Sequence, residues 1–155
     1  MGKFNNKISA EFHPPRKWVL ERALSYTNPD LDTDTLKEIG VEVTSAGKIT
    51  CKKDFVTDLA SVPRICWMFI APWDIARAAI IHDLLYKRIR QYRAKNKGLK
   101  QEDYKVIIAA KKESDKVFLA AMKDADPAVP KWKIYSAYYA VVLCGRWSII
   151  PREED

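Results

Sequence analysis

Short alternating runs dominate the first third of the chain, and long apolar stretches with helical period dominate the rest. Trp18, Val19 and Leu20 lead into LSYT, after which NPDLDTD breaks the pattern. VEVT and KITC alternate on either side of a short SAG turn, where Gly47 gives the backbone its freedom, and predict a β-hairpin. Asp54 to Pro72 reads as a loop punctuated by Pro63 and Pro72. Three helices are expected after it, at about Asp74 to Arg93, Gln101 to Lys123 and Lys131 to Trp147, separated by a basic linker near Gly98 and by DADPAVP. The expected class is α+β: a single domain over 1–155, with antiparallel strands or a hairpin in 1–58 and about three helices in 74–147. No internal repeat or low-complexity tract argues for a solenoid or an array.

The apolar run APWDIARAAIIHDLLY, Ala71 to Tyr86, places His82 and Asp83 side by side in a helix that should be buried. An unpaired buried charge costs on the order of several kcal/mol, so both groups need partners. A metal ion, a cation such as Arg64, or a hydrogen bond between the two would serve. Adjacent residues on a helix point about 100° apart, so the pair cannot aim together at one small ion. One is then a ligand and the other a supporting partner or base.

Composition narrows the picture. With 155 residues, 48% of them hydrophobic, the chain can bury a core of its own. The net charge of +7 arises mainly from KRIRQYRAKNKGLK, Lys87 to Lys100, which holds no acidic residue. This block reads as contact with an anionic partner, or as a solvated helix end whose cations suit a helix C-terminus. Cys51, Cys66 and Cys144 are odd in number and lack CxxC spacing, which argues against a disulfide framework or zinc ribbon and fits a reducing compartment. MGKFNNKISAEF lacks the apolar core of a signal peptide, and Asn6 stands where a myristoylation motif needs Ser or Thr. Synthesis in a host cytoplasm is expected, with virion association an extension of that. IYSAYYAVVLCGRWSII, Ile134 to Ile150, is short for a bilayer span and broken by Arg146, so a core helix is expected, with interfacial binding as the alternative, and no transmembrane helix. Asp30, Asp32 and Asp34 imitate the opening of a calcium loop, but Thr35 and Val41 stand where the turn Gly and bidentate Glu belong, so a solvated turn is expected.

FVTDLASVPR, Phe55 to Arg64, is the more specific signal. Thr57, Asp58 and Ser61 bring two hydroxyls and a carboxylate to a strand end, Pro63 stiffens the loop, and Arg64 offers a planar cation. These groups are either half of a site completed by the helix or a structural loop in which Arg64 neutralises Asp83.

Four blocks in order carry a family resemblance: TDLASVPR, HDLLY at His82 to Tyr86, SDKVFLAAM at Ser114 to Met122, and YYAVVLCGRW at Tyr138 to Trp147. Together they resemble DUF1353, a family of phage and prophage proteins without an assigned function, over roughly Arg16 to Trp147. The resemblance implies a phage or prophage origin and draws attention to Asp58, His82, Asp83 and Asp115. Ser114 and Lys111 depart from the family's third block, where Lys111 occupies an Arg position and so cannot make a bidentate contact.

The motif residues form an inventory for a metal site. Asp58, His82 and Asp115 would ligate zinc, manganese or magnesium, with an open position for water whose pKa the cation lowers. His82, Asp83, Arg64 and Ser61 are the candidate catalytic groups, supported by Thr57 and Tyr86. The phage setting makes peptidoglycan, during entry or lysis, the natural substrate of such a hydrolase. A phosphohydrolase built on the His-Asp doublet lacks further histidines, His13 being the only other one, and a Ser61–His82–Asp83 triad lacks an orienting pair. The rival expectation is non-catalytic: a virion or tail component, or a host-factor-binding protein, in which the motif is an internal hydrogen-bonded network. Trp67, Trp73, Tyr138, Tyr139, Trp147 and the basic block would then be packing or partner surfaces. Nucleic-acid binding through Lys87 to Lys100 would rest on charge alone.

Overall fold

A computed structural model describes residues 2–15, 17–58 and 75–153. Ser61 and Arg64, like Cys66, Trp67 and Trp73, lie outside the described residues. The elements are β1 (Lys3–Phe4), β2 (Ala10–His13), β3 (Lys17–Leu20), β4 (Leu24–Thr27), α1 (Thr33–Glu38), β5 (Lys48–Cys51), β6 (Val56–Thr57), α2 (Ala76–Lys95), α3 (Gln101–Lys123) and α4 (Lys131–Ser148). The expected α+β class holds, with strands first and helices after them.

The strands form two small antiparallel sheets, ordered β1-β4-β5 and β2-β3-β6. LSYT is β4, the central strand of its sheet, with Leu24, Ser25 and Tyr26 all buried. Its partner is KITC, which is β5, in the register Ser25↔Thr50. The expected VEVT–KITC hairpin is therefore a different pairing, and VEVT contributes one bridge, Val43↔Ile49. The reason lies just upstream. Val41 donates its N–H to the Leu36 carbonyl at 3.1 Å, so the start of VEVT is committed to closing α1, and the chain reaches the ladder late.

NPDLDTD, expected as a break, starts that helix. Asp32 is its N-cap, its carboxylate accepting the Thr35 amide at 3.1 Å and the Thr35 hydroxyl at 2.7 Å. These two bonds hold the exposed Asp32 carboxyl below its ordinary range. Gly40, at φ +84°, takes the left-handed turn out of α1.

α3 has its expected bounds, and α2 and α4 lie within two residues of theirs at each end. α2 is the centre of the molecule, packing on α3 along one side and on β4 and β5 along another. A helix covered on several sides is apolar around most of its circumference, which is why Ile81, Leu85, Tyr86 and Ile89 are all fully buried. One core cluster joins Leu24, Tyr26 and Ile49 of the strands to Leu85, Phe118 and Val141 of the helices. Among the described residues no helix is long and apolar enough to cross a membrane.

The basic block is not a free cationic face. Its first half continues α2, where Arg90 is buried and donates to the Ser148 carbonyl at 3.2 Å, and Arg93 donates to Ile149 at 3.0 Å. Two of its cations thus satisfy carbonyls at the C-terminal end of α4, where the helix leaves acceptors unpaired and its dipole is negative.

Candidate functional site

The 100° offset between neighbouring helical residues sends His82 and Asp83 to different elements. His82 turns toward α3 and Asp83 toward β6.

On the α3 side, His82 Nε2 stands 3.0 Å from Asp115 Oδ1, and the Tyr86 hydroxyl donates to the same oxygen at 2.6 Å. Lys111, one turn before Asp115 on α3, donates to Oδ2 at 2.7 Å. Burial alone would raise the Asp115 carboxyl, but the hydrogen bond and charge of His82, with Lys111 and Tyr86, outweigh it and hold the group below the ordinary carboxylate range. Asp115 is therefore an acceptor with three donors, one of them His82 through Nε2. The other ring nitrogen, Nδ1, is buried and has no hydrogen-bond partner among the described residues. Burial, then the charge of Asp115 and the bond to it, push the Tyr86 hydroxyl far above its usual pKa. The cluster is closed: His82 and Tyr86 are 0% exposed and Asp115 is 3%. The His82 ring also lies 4.0 Å from the Tyr86 ring and 4.8 Å from Phe118, centroid to centroid.

On the other side, Thr57 of β6 donates its hydroxyl to Asp83 Oδ2 at 2.5 Å. Burial, reinforced by the nearby charge of Asp83, pushes the Cys51 thiol far above its usual pKa, and its Sγ donates to the Ile80 carbonyl at 3.7 Å. Asp83 forms part of the wall of a cleft of about 220 Å³, shared with Lys17, Asp58, Lys87, Arg90 and Arg152. Asp58 lies 3.7 Å from Arg152 across it. A larger cavity, about 450 Å³, lies elsewhere, between Ile75, Arg77, Asp126 and Lys133, and no motif residue is among its described lining.

The structure thus separates the expected site into two. His82, Tyr86 and Asp115 come together, as do Thr57 with Asp83 and Asp58. The expected ligand set of Asp58, His82 and Asp115 is not assembled, because Asp58 faces the cleft while the other two face the core. Among the described residues no group of three or more His, Cys, Asp and Glu side chains is placed to hold a metal ion. Lys111, named in the sequence only as a departure from the family's pattern, carries a signal for its role, its i,i+4 spacing to Asp115. Lys17 and Arg152 lie outside every motif block and carry none.

A small α+β protein with a His-Asp doublet shared between a closed polar network and an open charged cleft is the class that fold and site define. The chain belongs to the DUF1353 family, described as a protein of unknown function, whose sequence model matches residues 34–141. The match takes in α1 through most of α4 and every residue of both half-sites except Lys17 and Arg152. No curated protein and no solved structure matches the chain.

Proposed function

We propose that the chain is a non-catalytic binding protein, a virion or tail component or a host-factor-binding protein, in which the family's His-Asp motif locks the helices together. The observation that carries this reading is the closure of the motif: His82, Tyr86 and Asp115 are buried, and His82 Nε2 and the Tyr86 hydroxyl both meet Asp115 Oδ1. In this arrangement the His82 imidazole has no exposed surface from which to meet a substrate. The phage setting rests on the family resemblance.

The cleft supports a second reading. Asp58 and Asp83, two motif carboxylates, share an open wall with Lys17, Lys87, Arg90 and Arg152, an arrangement suited to an anionic ligand and to a hydrolase acting on peptidoglycan, with or without zinc, manganese or magnesium. Incubation with purified peptidoglycan, with each of those metals added in turn, separates the two. The binding reading predicts no release of soluble fragments. Release that is abolished in Asp83→Asn would replace it with the hydrolase.

A further inference from the structure

The helix α4 is apolar on two sides. Ile134, Ala137, Val141 and Gly145 are buried, on the side from which α4 packs against α3. Among the described residues, nothing packs over the opposite side. Trp132 is 58% exposed, Tyr139 57%, Leu143 70% and Trp147 58%, with Tyr135 and Ile150 also exposed. These positions recur every three or four residues, so they form one stripe, and about 22 Å of helix separates the two tryptophans. A contiguous apolar face of this kind on a folded protein marks an interaction surface.

The charges around the stripe identify what it fits. Between Lys131 and Ser148 there is no Asp or Glu, and the helix carries Lys131, Lys133 and Arg146. Three cations lie against rings of the stripe: Lys133 is 5.8 Å from the Trp132 centroid, Lys123 of α3 is 5.3 Å from Tyr135, and Arg146 is 4.2 Å from Trp147. In each pair the charged head itself lies over the ring, so the positive charge borders the apolar stripe directly. A second copy of this chain would bring two such sets of cations together with no carboxylate from α4 between them, which disfavours self-pairing. A partner's amphipathic helix would need a groove, and the exposed side of a single helix is convex. Tryptophan and tyrosine at the ends and middle of a flat helix, flanked by lysine and arginine, match the chemistry of the boundary between headgroups and acyl chains.

We propose that the exposed face of α4 docks on an anionic lipid bilayer, with the helix lying in the plane of the headgroups. This inference is independent of whether the cleft has an activity. The test is co-sedimentation of the full chain with vesicles of phosphatidylcholine alone and of phosphatidylcholine with phosphatidylglycerol, for the wild type and Leu143→Glu. Leu143 is largely exposed, so the variant should fold, and its melting temperature verifies this. The expected result is binding to the anionic vesicles that weakens with added salt, is at least tenfold weaker on the neutral ones, and falls at least tenfold in Leu143→Glu. Absence of binding to anionic vesicles, or equal binding by Leu143→Glu, would overturn the proposal. So would a dimer that Leu143→Glu dissociates in the absence of lipid, which would make a second copy the occupant.

Discussion

Asp115 shows how one residue can hold several elements. Its two oxygens receive hydrogens from His82 and Tyr86 on α2 and from Lys111 on its own helix. Removing Lys111 strands Oδ2 at the edge of the core, which costs about 1–3 kcal/mol, whereas removing His82 or Tyr86 leaves Oδ1 with its other donor. The lowered carboxyl of Asp115 also fixes a pH dependence. A group whose pKa is depressed by folding adds stability above the ordinary carboxylate range and loses it as the pH falls through that range and below. Tyr86 has the opposite sign: its raised hydroxyl adds stability below about pH 10, where the unfolded side chain is still neutral, and loses it above. The gap in unfolding free energy between wild type and Asp115→Asn should therefore shrink as the pH is lowered from about 6 to about 3. Equal gaps across that range would show that Asp115 gains nothing from its donors.

At the scale of elements, the decisive contact is the one between α4 and α2. Gly145 lets α4 approach so closely that a Cβ there would stand 2.3 Å from the Tyr86 hydroxyl oxygen and 3.2 Å from Lys111 Cε. The first is an impossible approach, so Gly145→Ala must displace either the helix or the hydroxyl from Asp115. A loss of about 1–3 kcal/mol is expected by chemical denaturation. Adding Tyr86→Phe removes the obstructing oxygen, so the double variant should lose less than the sum of the two single ones. Strict additivity would mean that Gly145 and Tyr86 do not meet. Much of this level was legible in advance. The three long helices follow from their apolar period and from the breaks at Gly98 and DADPAVP, and β4 and β5 follow from LSYT and KITC. The pairing of β5 with β4 was not, since two alternating runs beside a turn look like a hairpin whether or not the intervening chain is claimed by a helix. α1 was hidden for a related reason: its acidic start reads equally as a turn, and its Asp32 cap is recognisable only with Leu36, Ile39 and Val41 seen to face inward.

For the molecule as a whole, α2 is a partition, with a closed polar network on the α3 side and a charged cleft on the β6 side. The sequence marks the residues of both sides, because polar groups inside an apolar helix demand partners. It does not say which partner each one meets. His82 and Asp83 are adjacent in the chain, and Asp58, Asp83 and Asp115 are chemically alike, so a single convergent site is as consistent with the residue types as two divergent ones. The basic block is a similar case: its composition suggests an anionic partner, while Arg90 and Arg93 are engaged with the end of α4. The central claim is that the motif stabilises the fold through its own hydrogen bonds. Its most direct test is thermal unfolding of the wild type and of His82→Ala, each with and without a strong chelator. The account predicts a loss of about 2–4 kcal/mol in His82→Ala, seen as a melting temperature lower by roughly 5–15 °C, and no shift of either protein by the chelator. An unchanged melting temperature in His82→Ala, or a wild type that the chelator lowers to the level of the variant, would contradict it.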